Sequence, residues 1–340
     1  MIDVLVAGGG PAGLATAILA VQAGLEVTVA EPRTAPVDKA CGEGLMPAAI
    51  TRLRALGIEP TGHHLKGIRY LDATHRADAL FRGRDGLGVK RTALHEALIE
   101  RAAQLAIPIL PIRITEFTQT GTHVEAAGIR ARHLVAADGL HSPIRRACGL
   151  DPAPSRHPRF GLRRHYRIAP WTDLVEVHWS PRSEAYVTPV ADDLIGVAIL
   201  GPPHTDFTAG IAEFPALRER LAGAEPAGSV RGAGPLRQNV RHRVAARVLL
   251  VGDASGYIDA LTGEGISVAL TQAAALVQCL RTGRSEDYEK QWRKVTHTSR
   301  ALTAGLLWAR QSPVLAPRIV PAAAHLPRTF TNLVNRIANA

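Results

Sequence analysis

The start of the chain carries its strongest constraint. Residues 2–7, IDVLVA, form a short apolar run that reads as a buried strand. Gly8, Gly10 and Gly13 follow at G-x-G-x-x-G spacing around Pro11 and Ala12, and PAGLATAILAVQAGL then carries apolar residues at helical spacing. A second strand at 26–30 completes a βαβ unit, whose strands must pair in parallel. In that order the first glycine permits a tight turn, the second lets backbone approach a pyrophosphate, and the third lets helix and strand pack closely. The helix N-terminus then favours negative charge. Glu31, eighteen residues past Gly13, closes the second strand, where a carboxylate accepts from both hydroxyls of a ribose. Arg33 follows it and is grouped with the same ligand.

The rest of the chain interleaves two patterns. RTALHEALIERAAQLA, residues 91–106, places Leu94, Leu98 and Leu105 on one helical face, and three short strands follow through Ala136. Around 67–88 and 159–200 the pattern shifts to extended segments such as GLRRHYRI and AYVTPV, which reads as one antiparallel sheet inserted discontinuously into the first unit. VLLVGDA after Arg247 returns to the nucleotide unit, and a long helix begins near Gly265. The expected fold is α/β: a Rossmann-like dinucleotide-binding domain (1–66, 89–158, 236–289), an inserted sheet domain for substrate (67–88, 159–235) and a helical segment (290–340) broken by Pro313, Pro317, Pro321 and Pro327.

Composition excludes several classes. No run of about eighteen uncharged apolar residues occurs, and the N-terminus enters a strand without a signal-peptide pattern, so a cytoplasmic protein is expected. Cys41, Cys148 and Cys279 form no C-x-x-C pair, the 14 histidines make no H-x-x-x-H spacing, and no metal is expected. The net charge of +10 comes with no nucleic-acid motif, so no nucleic-acid partner is expected. Lys290 to Ala340 holds eight Lys or Arg and no acid. That stretch fits either a helical cap on the nucleotide domain or a peripheral membrane contact.

Two later segments select the cofactor. Asp138-Gly139-Leu140-His141-Ser142-Pro143-Ile144-Arg145 resembles the D-G-x-x-S-x-x-R motif of FAD-dependent aromatic hydroxylases, and GDASGYIDALTGEGISVAL, from Gly252, resembles a stretch of the geranylgeranyl reductase family. The resemblance implies non-covalent FAD, with Asp138 in its motif and Asp253 on the ribityl chain. Gly263, Gly265 and Ile266 would lie at a helix start beside the isoalloxazine. It also places Arg91 near the FAD, a position that fits a surface helix start equally on its own pattern. Lys39-Ala40-Cys41-Gly42-Glu43-Gly44 resembles the cysteine–glycine segment beside the flavin ring in those reductases. Cys41 there either tunes the flavin, donates a proton or simply packs. Tyr186 and Pro189 match the family's tyrosine–tryptophan–proline substrate motif loosely, without the tryptophan.

With one dinucleotide unit, NAD(P)H is expected only as a transient electron donor. The leading expectation is an NAD(P)H-dependent monooxygenase acting on an apolar aromatic, polyketide or isoprenoid-like small molecule. The alternative is a flavoenzyme reducing C=C bonds, and the third is a cyclase-like flavoprotein without redox turnover. A halogenase is disfavoured because its W-x-W-x-I-P segment is absent.

Overall fold

A computed structural model describes residues 1–151, 155 and 157–339. Residues 152–154 and 156, within the stretch assigned to the nucleotide domain, and Ala340 lie outside the described residues. Ile2–Ala7 pairs in parallel with Ile129–Ala136 on one side and Val27–Ala30 on the other. Val248–Leu250 and Ile109–Leu110 extend the parallel sheet outward. Val4, Leu5 and Val6 are all buried, as a parallel strand covered on both faces requires. One face packs the helices Pro11–Gln22, Arg91–Gln104 and Gly265–Arg281 through Leu14, Ile18, Leu94, Leu98, Leu270 and Leu276.

The second sheet has seven strands, in the order Glu225–Ala233, Phe160–Arg167, Leu194–Gly201, Glu184–Ala191, Leu174–Trp179, Gly67–Leu71, Arg76–Leu80. It is not wholly antiparallel: Leu174–Trp179 and Gly67–Leu71 pair in parallel. Hairpins enforce antiparallel neighbours, whereas these two strands are joined through the whole intervening nucleotide unit and meet side by side. Gly86–Gly88, grouped with this sheet by its extended pattern, pairs instead with Gly44–Leu45 and His63–Leu65. Gly88 is needed there, since a Cβ would lie 1.6 Å from the Pro189 carbonyl oxygen.

The C-terminal helices do not all pack on the nucleotide unit. Tyr288–Gln311 packs on Gly265–Arg281, but Ile319–His325 and Pro327–Ala338 cover the edge strand Arg76–Leu80. Asn335 donates to Leu80 O (2.8 Å) and accepts from Arg82 N (2.8 Å), occupying edge groups that would otherwise stay unpaired. Phe330 stacks at 4.7 Å on Tyr70 beneath them. Pro321 does not break its helix: it is the third residue of Ile319–His325, where the amide has no intrahelical partner to lose.

Candidate cofactor and active site

The glycine turn does three different things. Gly8 has φ +110° and a Cβ there would sit 2.4 Å from Ala137 O; at Gly13 it would sit 1.8 Å from Gly8 O. Gly10 caps Pro11–Gln22, and a Cβ on it would meet nothing within 4 Å. Two glycines therefore close the backbone on itself and the third leaves the helix N-terminus open. Pro11 begins the helix, and Ala12 packs against Gly252, whose own Cβ would fall 2.7 Å from the Ala12 methyl.

Glu31 is buried beside this turn. It accepts from Gly9 N (2.8 Å), and Arg33 grips both its oxygens at 2.7 Å. Burial alone would raise its carboxyl, but the Arg33 hydrogen bonds, with Gly9, outweigh burial and hold it at about 2. His95 fixes the turn from below. Its Nε2 donates to Gly9 O (2.8 Å) and its Nδ1 accepts from Val37 N (3.4 Å), because a carbonyl only accepts and an amide only donates. Burial pushes the ring's pKa down, in keeping with that neutral tautomer.

In the segment from Asp138 to Arg145, Ser142 Oγ caps the helix Pro143–Ala147 by accepting from Arg145 N (2.9 Å). Arg145 is buried and donates to Leu140 O (3.1 Å) and Ala254 O (3.3 Å). Its work is positional: it ties this turn to the residue after Asp253. Asp253 is solvent-accessible at the floor of a cleft, yet enough protein surrounds it that burial raises its carboxyl against the opposing charges of Lys39 and Arg91. The Lys39 ammonium lies near Gly139, 3.4 Å from where a Cβ would stand; burial lowers its pKa, with Arg33 and Arg91 adding and Asp253 and Glu31 opposing. Lys39 thus sits in the field of both carboxylates. Pattern reading quoted it only as a flank of the cysteine segment.

The CGEG segment joins the lobes. Glu43 is buried at φ +60°, a conformation uncommon for a residue with a side chain. Its Oε1 accepts from Arg91 N (2.9 Å) and its Oε2 from His165 Nε2 (2.6 Å), while Arg163 donates to His165 Nδ1 (3.1 Å). Arg163 also pairs with Asp38. Cys41 is half-buried, its Sγ accepting from Glu43 N (3.4 Å). Burial pushes its thiol up and the Glu43 charge adds to that, against Arg91. Gly42 faces open space and its carbonyl accepts from Thr188 Oγ1 (2.8 Å), whereas Gly44 makes only ordinary contacts where a Cβ would stand. Glu43, His165 and Arg163 escaped pattern reading. Only Glu43 had a visible signal, a carboxylate between two glycines.

Gly263 (φ +69°) turns the chain into Gly265–Arg281, with Ile266 half-buried in its first turn. Between them Glu264 is buried and accepts from Ser299 Oγ (2.9 Å); burial raises its carboxyl to about 7. A cavity of about 40 Å³ behind this loop is lined by Asp253, Tyr257, Glu264, Gln272 and Arg300. Tyr186 OH donates to Leu261 O (2.7 Å), so the strand Glu184–Ala191 touches this loop through Tyr186 and the CGEG segment through Thr188. Among the described residues, Arg91 Nε and Asp138 Oδ1 are buried without a hydrogen-bond partner, as are Arg163 Nε and Trp179 Nε1.

These residues fit FAD. An open helix N-terminus and a lysine suit the pyrophosphate, Glu31 the adenosine ribose, Asp253 the ribityl hydroxyls, and orphaned polar atoms stand at both motif positions. The cleft defines a flavin dinucleotide protein. Residues 1–162 match the family described as FAD binding domain. A menaquinone reductase of Mycolicibacterium smegmatis is 27% identical over 327 residues, covering 85% of this chain and 79% of the relative. A digeranylgeranylglycerophospholipid reductase of Methanococcus vannielii is 25% identical over 319 residues, covering 85% and 80%. A flavoprotein/dehydrogenase of Cytophaga hutchinsonii superposes with a TM-score of 0.85 at 20% identity over 98% of this chain and 93% of that one, a likeness of fold. The chain is a flavin-dependent oxidoreductase enzyme. No helix among the described residues is long and apolar enough to cross a membrane.

Proposed function

We propose that this enzyme saturates a carbon–carbon double bond in an apolar, isoprenoid-like chain, with NAD(P)H as the transient donor. Bound FAD, once reduced, supplies a hydride. The protein must supply the proton, and the observation that carries the proposal is the placement of Cys41, whose half-buried Sγ accepts from Glu43 N (3.4 Å) beside the Gly42 carbonyl that Thr188 holds. Cys41 lies between the charges of Arg91 and Glu43 on a segment pinned by Thr188 and His165. The wall beyond it is apolar: Met46, Trp179, Tyr186, Leu261 and Leu307 belong to one buried cluster. An uncharged chain bound against this surface would displace water from it. The names of the two reductases support the same substrate class.

Oxygen transfer is the competing outcome, supported by the resemblance of Asp138–Arg145 to the aromatic hydroxylases. One experiment separates them. Flavin-loaded enzyme with NAD(P)H and a polyprenyl quinone is expected, when oxygen is excluded, to yield product whose isoprenoid side chain carries two added hydrogens that remain after the ring is reoxidised to the quinone. Product that forms only in air and carries an added oxygen atom overturns the reductase reading. Cys41→Ala is expected to keep flavin reduction by NAD(P)H while slowing product formation about a hundredfold, within the range for general acids.

A further inference from the structure

We propose that the C-terminal helices dock on an anionic membrane surface, with Trp308 at the point of contact. The last two helices cap the sheet edge and Tyr288–Gln311 packs on Gly265–Arg281, each leaving an opposite face exposed. On Tyr288–Gln311 the buried positions near the end are Thr303, Leu307 and Arg310. The exposed ones are Ala301, Ala304, Gly305 and Trp308, spaced as one helical stripe without charge. Trp308 is 68% exposed, while Trp179 and Trp292 are buried. Beyond the helix Val314 is 60% exposed and Leu326, just before the last helix, 58%.

Cations bracket this apolar surface. Arg293 and Lys294 are exposed before it, and Arg318, Arg328 and Arg336 after it. No acid occurs between Lys290 and Ala340, and although Arg293 pairs with Glu289 (3.0 Å), Lys294, Arg318, Arg328 and Arg336 have no ion-pair partner among the described residues. Apolar side chains beside uncompensated cations, with a tryptophan whose ring favours the headgroup level, match the two attractions that hold a protein on a bilayer. A second copy of the chain is a poorer occupant. Apposing this segment on itself would set the exposed Lys290, Lys294, Arg318, Arg328 and Arg336 against their own copies, with no carboxylate from the segment between them. The underlying layer is the cluster that runs from Leu307 and Phe330 to Tyr186 and Leu261 at the cofactor loop, so the contact would bring the apolar wall of the site close to lipid. The proposal does not depend on which reaction the flavin performs, and its test needs no turnover.

The test is sedimentation of the full, flavin-loaded chain with vesicles of phosphatidylcholine alone or with roughly one-third phosphatidylglycerol. Binding is expected on the anionic vesicles only, weakened at least tenfold when salt rises from about 0.05 M to about 0.5 M. Trp308→Ser with Leu326→Ser is expected to lower the anionic partition at least tenfold, with flavin absorbance and unfolding temperature unchanged. Arg328→Glu with Arg336→Glu should weaken it and flatten its salt dependence. The emission of the native protein should shift to the blue on anionic vesicles, and that shift should vanish in Trp308→Phe. No binding to anionic vesicles at low salt overturns the proposal, as does undiminished binding by the serine variant. A dimer that Trp308→Ser dissolves overturns it in favour of a second copy.

Discussion

Gly13 and Glu184 are both buried where two elements meet, and they hold those elements in opposite ways. Gly13 acts by lacking a side chain, so that Gly8 O can approach. Glu184 acts by having one. Fully buried on the seven-stranded sheet, it accepts from Arg159 Nη2 at 2.5 Å and pairs with Arg310 of the C-terminal helix, while Arg159 reaches on to Asp259 at 3.0 Å. Burial would lower the Arg159 pKa, but the Glu184 and Asp259 charges overcome it and raise it. The nucleotide lobe is built by backbone exclusion, and the junction of the seven-stranded sheet with the C-terminal helices by paired charge. Each fails differently. Glu184→Ala leaves Arg310 without a carboxylate and Arg159 with Asp259 alone, and a broken buried pair is expected to cost about 3–5 kcal/mol in chemical unfolding. A loss below about 1 kcal/mol would mean water already screens the cluster.

Gly13→Ala is expected to cost about 3 kcal/mol or more, because the new methyl meets a backbone carbonyl that cannot move without shifting the sheet. Gly10→Ala sharpens the comparison. Its methyl meets no protein atom within 4 Å, so unfolding should move by about 1 kcal/mol at most while FAD affinity falls. Asp253→Ala should behave similarly, weakening FAD by about 1.5–3 kcal/mol in flavin titration with little change in the fold. If Gly10→Ala unfolds the protein as Gly13→Ala does, the division between closing and opening glycines is wrong.

This contrast also explains what the sequence makes legible. Gly8, Gly10, Gly13 and Glu31 lie within one βαβ unit, where strand, turn and helix periods are read locally. The parallel sheet and the long helices follow from the same local rules. His165 and Glu43 are 122 residues apart, and His95 and Gly9 are 86 apart. No period or spacing ties such pairs, because their meeting depends on how the lobes dock. Arg145 stands between the two cases: its motif is visible, but its carbonyl partner at Ala254 lies 109 residues away. The parallel pairing of Leu174–Trp179 with Gly67–Leu71 is hidden for the same reason, since strand pattern carries no direction.

Two carboxylates carry the comparison into pH. Glu31 is held at about 2, below its ordinary value near 4.5, so its contribution is present above pH 4.5 and lost as pH falls toward 2. Glu264 is raised from the same ordinary value to about 7; its contribution is present below pH 4.5 and lost as pH rises through 7. Each is expected to amount to about 2 kcal/mol, below the full conversion of either shift because Arg33 is partly exposed and Glu264 borders a cavity. Glu31→Gln should remove the acid-side slope and Glu264→Gln the slope between about pH 4.5 and 7 in unfolding measured against pH. Parallel slopes in the two variants would contradict the opposed environments.

The smallest expected effect tests where the two modes of construction meet. Tyr186 and Thr188 point to the same face of Glu184–Ala191, two residues apart, and reach different cofactor loops: Leu261 O at 2.7 Å and Gly42 O at 2.8 Å. Tyr186→Phe and Thr188→Val each remove one hydrogen bond and leave a carbonyl unpaired, a cost of about 1 kcal/mol apiece. If the strand clamps the two loops as one unit, the double variant loses less stability than the sum, because releasing one loop already frees the other. FAD affinity should then drop in each single variant as well, since both loops border the flavin dinucleotide cleft. Strict additivity in unfolding, with FAD affinity unchanged, would make the two bonds independent surface latches. The charge-paired lobe would then hold the substrate wall without shaping the backbone that receives the cofactor.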